Sequence, residues 1–227
     1  MIDAARHLFL ERGYAATTIE VISDSADTPQ ATVYRLFASK LGILKAMLDV
    51  SIAGDDQSVA MADRPQVHAL LADQDPRTQL AGLAALVREV MGRVGAVHRI
   101  LADAARADPE AAGLLAEIAR QRHEGQRRIA ATLARGQALR PGLEEHVAAD
   151  IVHALASPEV YSLLVLDRGW NDTCYEDWLR CILIEQLLGP AVDPEGGRHE
   201  SNPGGHLPET DRPARPKQQA VADGPPG

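Results

Sequence analysis

Aromatic side chains make up only 4% of the 227 residues. No stretch alternates Val, Ile or Thr with polar residues, so nothing argues for a sheet, while plentiful alanine and leucine favour helices. The expected class is all-α, with about nine helices. Cysteine is almost absent: Cys174 and Cys181 stand two helical turns apart, too far for a mutual disulfide, and read best as small buried apolar side chains, with a bond across two chains as the minor alternative. The sequence also lacks a Ser/His/Asp arrangement, a Gly-rich phosphate loop and a paired-cysteine motif, so no catalytic residues, no resident metal and no cofactor are expected. The opening MIDAARHLFLERG is charged and amphipathic rather than a signal peptide, and no apolar run is expected to span a membrane, which points to the cytoplasm. Positive charge is short as well. Net charge is −9, and in residues 1–50 five basic side chains (Arg6, Arg12, Arg35, Lys40, Lys45) face six acidic ones (Asp3, Glu11, Glu20, Asp24, Asp27, Asp49). A near-neutral head can meet a polyanion only by aiming its few cations and helix starts at phosphates.

What is present is a head built around TTIEVISDSADTPQATVYRLFASK, Thr17 to Lys40. Thr17 and Thr18 are hydroxyl caps before a short apolar-periodic run, and Glu20 stands at capping-box spacing from Thr17. Asp27 tolerates the left-handed conformation of a sharp turn, Thr28 is the expected cap of the next helix, and Pro29 suits its first position. That helix, running to about Phe37, turns Val33 and Phe37 inward and leaves Gln30, Thr32 and Arg35 pointing out beside Tyr34. Residues 2–12 form a preceding helix with Ala5, Leu8 and Phe9 inward, ended by Gly13, after which Tyr14 packs under the head. Ser39 caps a fourth helix to about Ala53, ended by Gly54-Asp55-Asp56 and a loop over 55–64.

Further helices are expected from Pro65 to about Ala72, from Asp75-Pro76 to a weak end at Gly95, from Ala96 to Ala107, and from Asp108-Pro109 to about Ala138. The last of these carries the stripe Leu114, Ile118, Arg122, Gly125, Ile129, Leu133. One reading is a cavity lined by Arg122 and open at Gly125, taking a small molecule with a polar or anionic group; Leu114, Ile118, Arg122 and Gly125, with Val87 and Met91 of the preceding long helix, are its candidate residues. The other is a snorkelling arginine beside a close-packed glycine. His146, Asp150 and His153 share a helix face at a spacing that metal ligation could use, though a solvated face explains them as well. Ser157-Pro158-Glu159 breaks and recaps the chain, and the helices after it are apolar almost all round. One body covers only one side of a final helix, so a second copy is expected to cover the other through Val160, Leu164, Trp178, Cys181, Ile182 and Leu187, in an intersubunit four-helix bundle. From Gly189 the composition predicts a disordered tail.

AARHLFLERGY, TTIEVI and ATVYRLFASK, each on the helix where it belongs, make the chain resemble the tetracycline-repressor (TetR) family over about residues 2–188; ASPEVYSLLVLDRGW and YEDWL resemble one actinobacterial-type subgroup. The resemblance implies a helix-turn-helix DNA-binding head (1–48), a helical ligand-binding and dimerisation body (49–188) and a tail (189–227). It further implies a homodimer on a double-stranded palindromic operator, its third helices roughly 34–36 Å apart, usually repressing until an unknown small-molecule effector enters the body. Carried over, Thr18, Tyr34 and Lys40 hold phosphates, Gln30, Ala31, Thr32 and Arg35 approach base edges, and Thr17 and Thr28 complete the DNA-binding set. The turn glycine is Asp27 here, the histidine common after Tyr-Xaa is Leu36, and the usual basic segment before the first helix is absent. These departures imply either an upstream start or weak, strongly salt-dependent binding.

Overall fold

The structure, a computed structural model, describes residues 1–53 and 64–188. The turn expected at Gly54-Asp55-Asp56, nearly all of the 55–64 loop and the tail from Gly189 lie outside them. The described residues contain no strand and form helices α1 (Ile2–Ala16), α2 (Ile19–Ser25), α3 (Gln30–Phe37), α4 (Lys40–Ala53), α5 (Pro65–Ala72), α6 (Pro76–Ala104), α7 (Pro109–Arg135), α8 (Glu145–Leu155), α9 (Pro158–Tyr161) and α10 (Asp172–Leu188). The single turn of α9 runs on as a π-helical stretch, Ser162–Asp167.

Local chemistry sets most boundaries. Asp75 and Asp108 each accept backbone N–H bonds at the starts of α6 and α7, with proline at the first position, and Ser157 does the same for α9. Gly13 leaves the helical region at φ 80°, kinking α1. At the end of α2, Asp27 sits at φ 46°, and the Asp27 and Thr28 amides donate back to the Asp24 and Ser23 carbonyls. This is the left-handed helix ending that glycine usually supplies.

Several sequence expectations are corrected. Thr18, not Thr17, caps α2: its hydroxyl accepts from the Val21 amide at 3.2 Å, while Thr17 is fully buried and donates to the Gly13 and Leu8 carbonyls. The Thr28 hydroxyl turns back to the Ala26 carbonyl, and Pro29 occupies the cap position of α3 without a side-chain bond. Most consequentially, α6 does not end at Gly95 but continues unbroken to Ala104. A Cβ at residue 95 would stand 2.9 Å from the Tyr161 ring, so the missing side chain admits a neighbouring ring rather than ending the helix. Cys181 is exposed and Cys174 half-buried, because α10 turns Tyr175, Leu179, Leu183 and Leu187 inward instead. By length and composition Glu145–Asp167 could cross a bilayer, against expectation. Here it is broken at Ser157-Pro158 and sets Ala148, Ala149, Val152, Ala156 and Tyr161 into the body core.

Two apolar clusters meet along α6. Its first part, Leu80 to Met91, joins α7, α8 and α10; its second part, Val94 to Ala104, packs with Ala5, Leu8, Phe9, Ile22, Val33, Ile43, Leu44, Met47 and Leu48 of the head. Arg93 Nε donates to the Ser51 carbonyl at 3.1 Å and Arg6 to the Ser51 hydroxyl, which ties the end of α4 to α6 and α1. A single 29-residue helix therefore belongs to both cores.

Candidate DNA-binding face and body cleft

In α3 the buried Val33 anchors the helix and sets what faces outward. Gln30, Ala31, Tyr34, Arg35 and Leu36 are exposed, and Thr32 is half-buried. Arg35 has no hydrogen bond or ion pair among the described residues, so its whole fork is available. Thr18 lies exposed at the start of α2, yet Glu20, Asp24 and Asp27 are exposed on the same helix and turn.

Three residues expected on this face are engaged elsewhere. Thr17 is buried, and Thr28 is half-buried with its hydroxyl on the Ala26 carbonyl. The Lys40 ammonium donates to the Tyr14 and Thr17 carbonyls at 2.7 and 2.9 Å and lies 4.2 Å from the centre of the Tyr14 ring. Burial lowers its pKa, opposed by the Asp108 carboxylate. The side chain stitches the end of α1 to the start of α4, and this follows from the free carbonyls left by the Gly13 kink. Sequence spacing gives no sign of it.

The body opens in a cleft of ≈ 510 Å³ between α6, α7 and the start of α9. Its walls are small: Ala102, Ala105, Ala112, Ala116 and Ala119, with Leu115 and Ile118, while the polar groups are His98, Arg106, Arg122 and Glu159. Of the residues proposed from sequence, Ile118 and Arg122 line it. Met91 is buried in the body core, Val87 packs against that core, Leu114 packs towards the head cluster, and a Cβ on Gly125 would meet nothing within 4 Å. One stripe on α7 thus faces different neighbours along its length, and the glycine closed in by a neighbouring side chain stands on α6, at Gly95, instead.

Arg122 is neither free nor snorkelling. Its Nη1 donates to the His153 and Ala156 carbonyls at 3.0 and 3.3 Å, the last turn of α8, and its Nη2 lies 3.2 Å from His153 Nε2. A guanidinium only donates, so Nε2 must accept, and the imidazole is neutral with its proton on Nδ1. That proton reaches Gln126 Oε1 at 2.7 Å. Burial, then the nearby Arg122 charge, lowers the His153 pKa, in keeping with this tautomer. Burial also lowers the pKa of Arg122 itself and of His98. His146 pairs with Glu144 and Asp150 with His123, so the His146/Asp150/His153 face does not converge, and no metal-ligand cluster exists among the described residues. The buried Tyr175 hydroxyl makes no hydrogen bond among the described residues, a feature that its apolar helical setting conceals in the sequence.

Of the six residues expected between two copies, Leu187 is fully buried in its own body core and is withdrawn. Val160, Leu164, Trp178 and Ile182 are half-buried and Cys181 is exposed.

The family model "Bacterial regulatory proteins, tetR family" matches residues 1–47. HTH-type transcriptional regulator TcmR of Streptomyces glaucescens is 31% identical over 143 residues, 59% of this chain and 57% of that regulator's length. Among solved structures, FadR of Bacillus subtilis in complex with stearoyl-CoA superposes with a TM-score of 0.62 at 16% identity, covering 82% of this chain and 96% of that one. A SmeT–triclosan complex, SmeT being the repressor of a Stenotrophomonas maltophilia multidrug efflux pump, gives 0.62 at 19% identity, covering 89% and 97%. At these identities the superpositions speak for the fold.

Proposed function

Because the chain belongs to the tetR family of bacterial regulatory proteins, and so is a transcriptional regulator, we propose that it represses from a palindromic operator as a homodimer and is released by a small molecule. The observation that carries this is the outward face of α3: Gln30, Ala31, Tyr34 and an Arg35 without a partner among the described residues stand exposed on a helix pinned by Val33. Arg35 reads a guanine edge, which its planar fork fits, while Tyr34 and the Thr18 hydroxyl lie against phosphates. Residues 1–48 act as the reading head, with the rest of the described chain as sensor and dimerisation body.

Dimerisation uses the outer side of α10 and the stretch before it. Val160, Leu164, Trp178, Cys181 and Ile182 belong to this face, and the half-exposed Leu163 adds to its apolar area. The α6–α7–α9 cleft receives the effector. A shift there reaches the head through α6, since Tyr161 of α9 lies against Gly95 at the point where the body cluster gives way to the head cluster.

The test is fluorescence anisotropy of the full chain on DNA flanking its own gene and on a shuffled duplex, at low and moderate salt. The expected result is a preference for the flanking DNA. The exposed acids Glu20, Asp24 and Asp27 favour a second reading, a TetR-fold small-molecule-binding protein without DNA recognition, which equal binding to both duplexes at both salts would establish instead.

A further inference from the structure

Resting on the reading of the body cleft as the effector site, we propose that the effector is a small organic anion whose acid group is taken by Arg122. The Arg122 guanidinium sits in the cleft wall with no carboxylate within ion-pair distance among the described residues. All three of its hydrogen bonds go to neutral acceptors, the His153 and Ala156 carbonyls and the His153 ring. Those bonds hold the cation in place without cancelling its charge; the Glu159 carboxylate in the same lining acts on it from beyond ion-pair distance, and a half-buried cation compensated only from a distance is costly in a low-dielectric wall. Three bonds also leave two of its five N–H groups, including that on Nε, without a partner among the described residues. A fork held on one side and open on the other is pre-set for the oxygen pair of a carboxylate or sulfonate.

The rest of the cleft limits the anion's shape and charge. Five alanines, Leu115 and Ile118 offer an apolar wall with few long side chains to move, which suits a compact hydrophobic skeleton. Arg106 adds a second cation at 3.7 Å from Asp103, burial lowers the His98 pKa against the pull of Glu159, and Glu159 is the only acidic residue in the lining among the described residues. The larger cleft of ≈ 770 Å³ between α1 and α6 has no comparable open cation. There Lys40 is spent on two carbonyls, Arg99 pairs with Asp167, and Arg12 stands 3.6 Å from Glu11.

The experiment compares two fluorescent probes on the full chain: 8-anilinonaphthalene-1-sulfonate and N-phenyl-1-naphthylamine, which share a ring system and differ by the sulfonate. The wild type is expected to bind the sulfonate at least about ten-fold more tightly, the effect of one charge-assisted pair in a partly dry site. Glu159→Gln, at an exposed position, is expected to tighten the anionic probe by about three-fold and to leave the neutral one unchanged. Arg122→Gln is expected to erase the preference and Arg122→Lys to keep part of it. Ala119→Trp fills the cleft and is expected to exclude both probes. Equal affinity of the two probes, with Glu159→Gln without effect, would overturn the anion assignment while leaving the cleft as effector site. Binding of both probes untouched by Ala119→Trp would overturn the cleft reading itself. Should Arg122→Gln not fold, the Glu159→Gln pair of titrations decides alone.

Discussion

Arg35 and Arg122 are the same side chain in two opposite settings. Arg35 stands in solvent on α3 with no partner among the described residues; Arg122 is half-buried on α7 and spends three bonds on the end of α8 and its histidine. Water pays the solvation of the first, so it can be removed from the folded chain at no structural cost and is there for what it meets. The second is part of the fold, closing the carbonyls that the end of α8 leaves open. The difference separates a cation that the fold can spare from one that the fold is built around.

The largest effect on folding is expected at Arg122. Its replacement by alanine leaves two carbonyls and His153 Nε2 without their donor and should cost about 1–3 kcal/mol in urea unfolding, whereas Arg35→Ala should stay within about 0.5 kcal/mol. Equal effects at the two positions would break the comparison.

Next comes a pair of glycines that divides the same way. At Gly95 a methyl group meets the Tyr161 ring, and Gly95→Ala should destabilise by about 1–3 kcal/mol through overpacking. At Gly125 a methyl group meets nothing, and Gly125→Ala should stabilise by about 0.5–1 kcal/mol through the backbone alone. Thermal melts of the two variants moving in the same direction would contradict the packing described for α6.

Asp27→Gly is expected to have a smaller effect with two readouts. It relieves the positive φ at the turn, for about 0.5–1 kcal/mol of stability, and removes one negative charge beside the DNA, tightening binding at low salt more than at high salt. The smallest effect concerns pH. His98 and His153 have lowered pKa values in the fold, so below the ordinary histidine pKa of about 6.5 the unfolded chain takes up protons that the folded chain refuses. Their contribution is therefore present above that pH and is lost as pH falls through the folded values. Melting temperature should drop between pH 7.5 and 5.5, and less so in His98→Asn/His153→Asn.

Much of this molecule was legible from short-range chemistry. Asp75-Pro76, Asp108-Pro109 and Ser157-Pro158 start helices because a side-chain acceptor and a missing N–H act within one turn, and Asp27 adopts the left-handed turn for reasons held in its own side chain. The outward set on α3 follows from Val33 and helical spacing. Features decided by distant neighbours were not legible. Gly95 looks like a helix end until Tyr161 arrives from 66 residues away in the chain. Adjacent hydroxyls at Thr17 and Thr18 are equivalent caps until one is drawn under Leu8 and Gly13. Lys40 looks like a phosphate ligand until the α1 kink offers it two carbonyls. For α10 the apolar excess was plain, but which stripe turned inward, and so the loss of Leu187 from the outer face, depended on the crossing with α6.

The division between a reading face and a sensing body is tested most directly by anisotropy titration of wild type and Arg35→Ala on flanking and shuffled duplexes. The wild type should prefer the flanking sequence, and Arg35→Ala should lose about 1–3 kcal/mol on it, the worth of one bidentate base contact, with its melting temperature unchanged. Wild-type binding that ignores sequence at both low and moderate salt, or a preference that survives Arg35→Ala intact, would contradict the role assigned to α3.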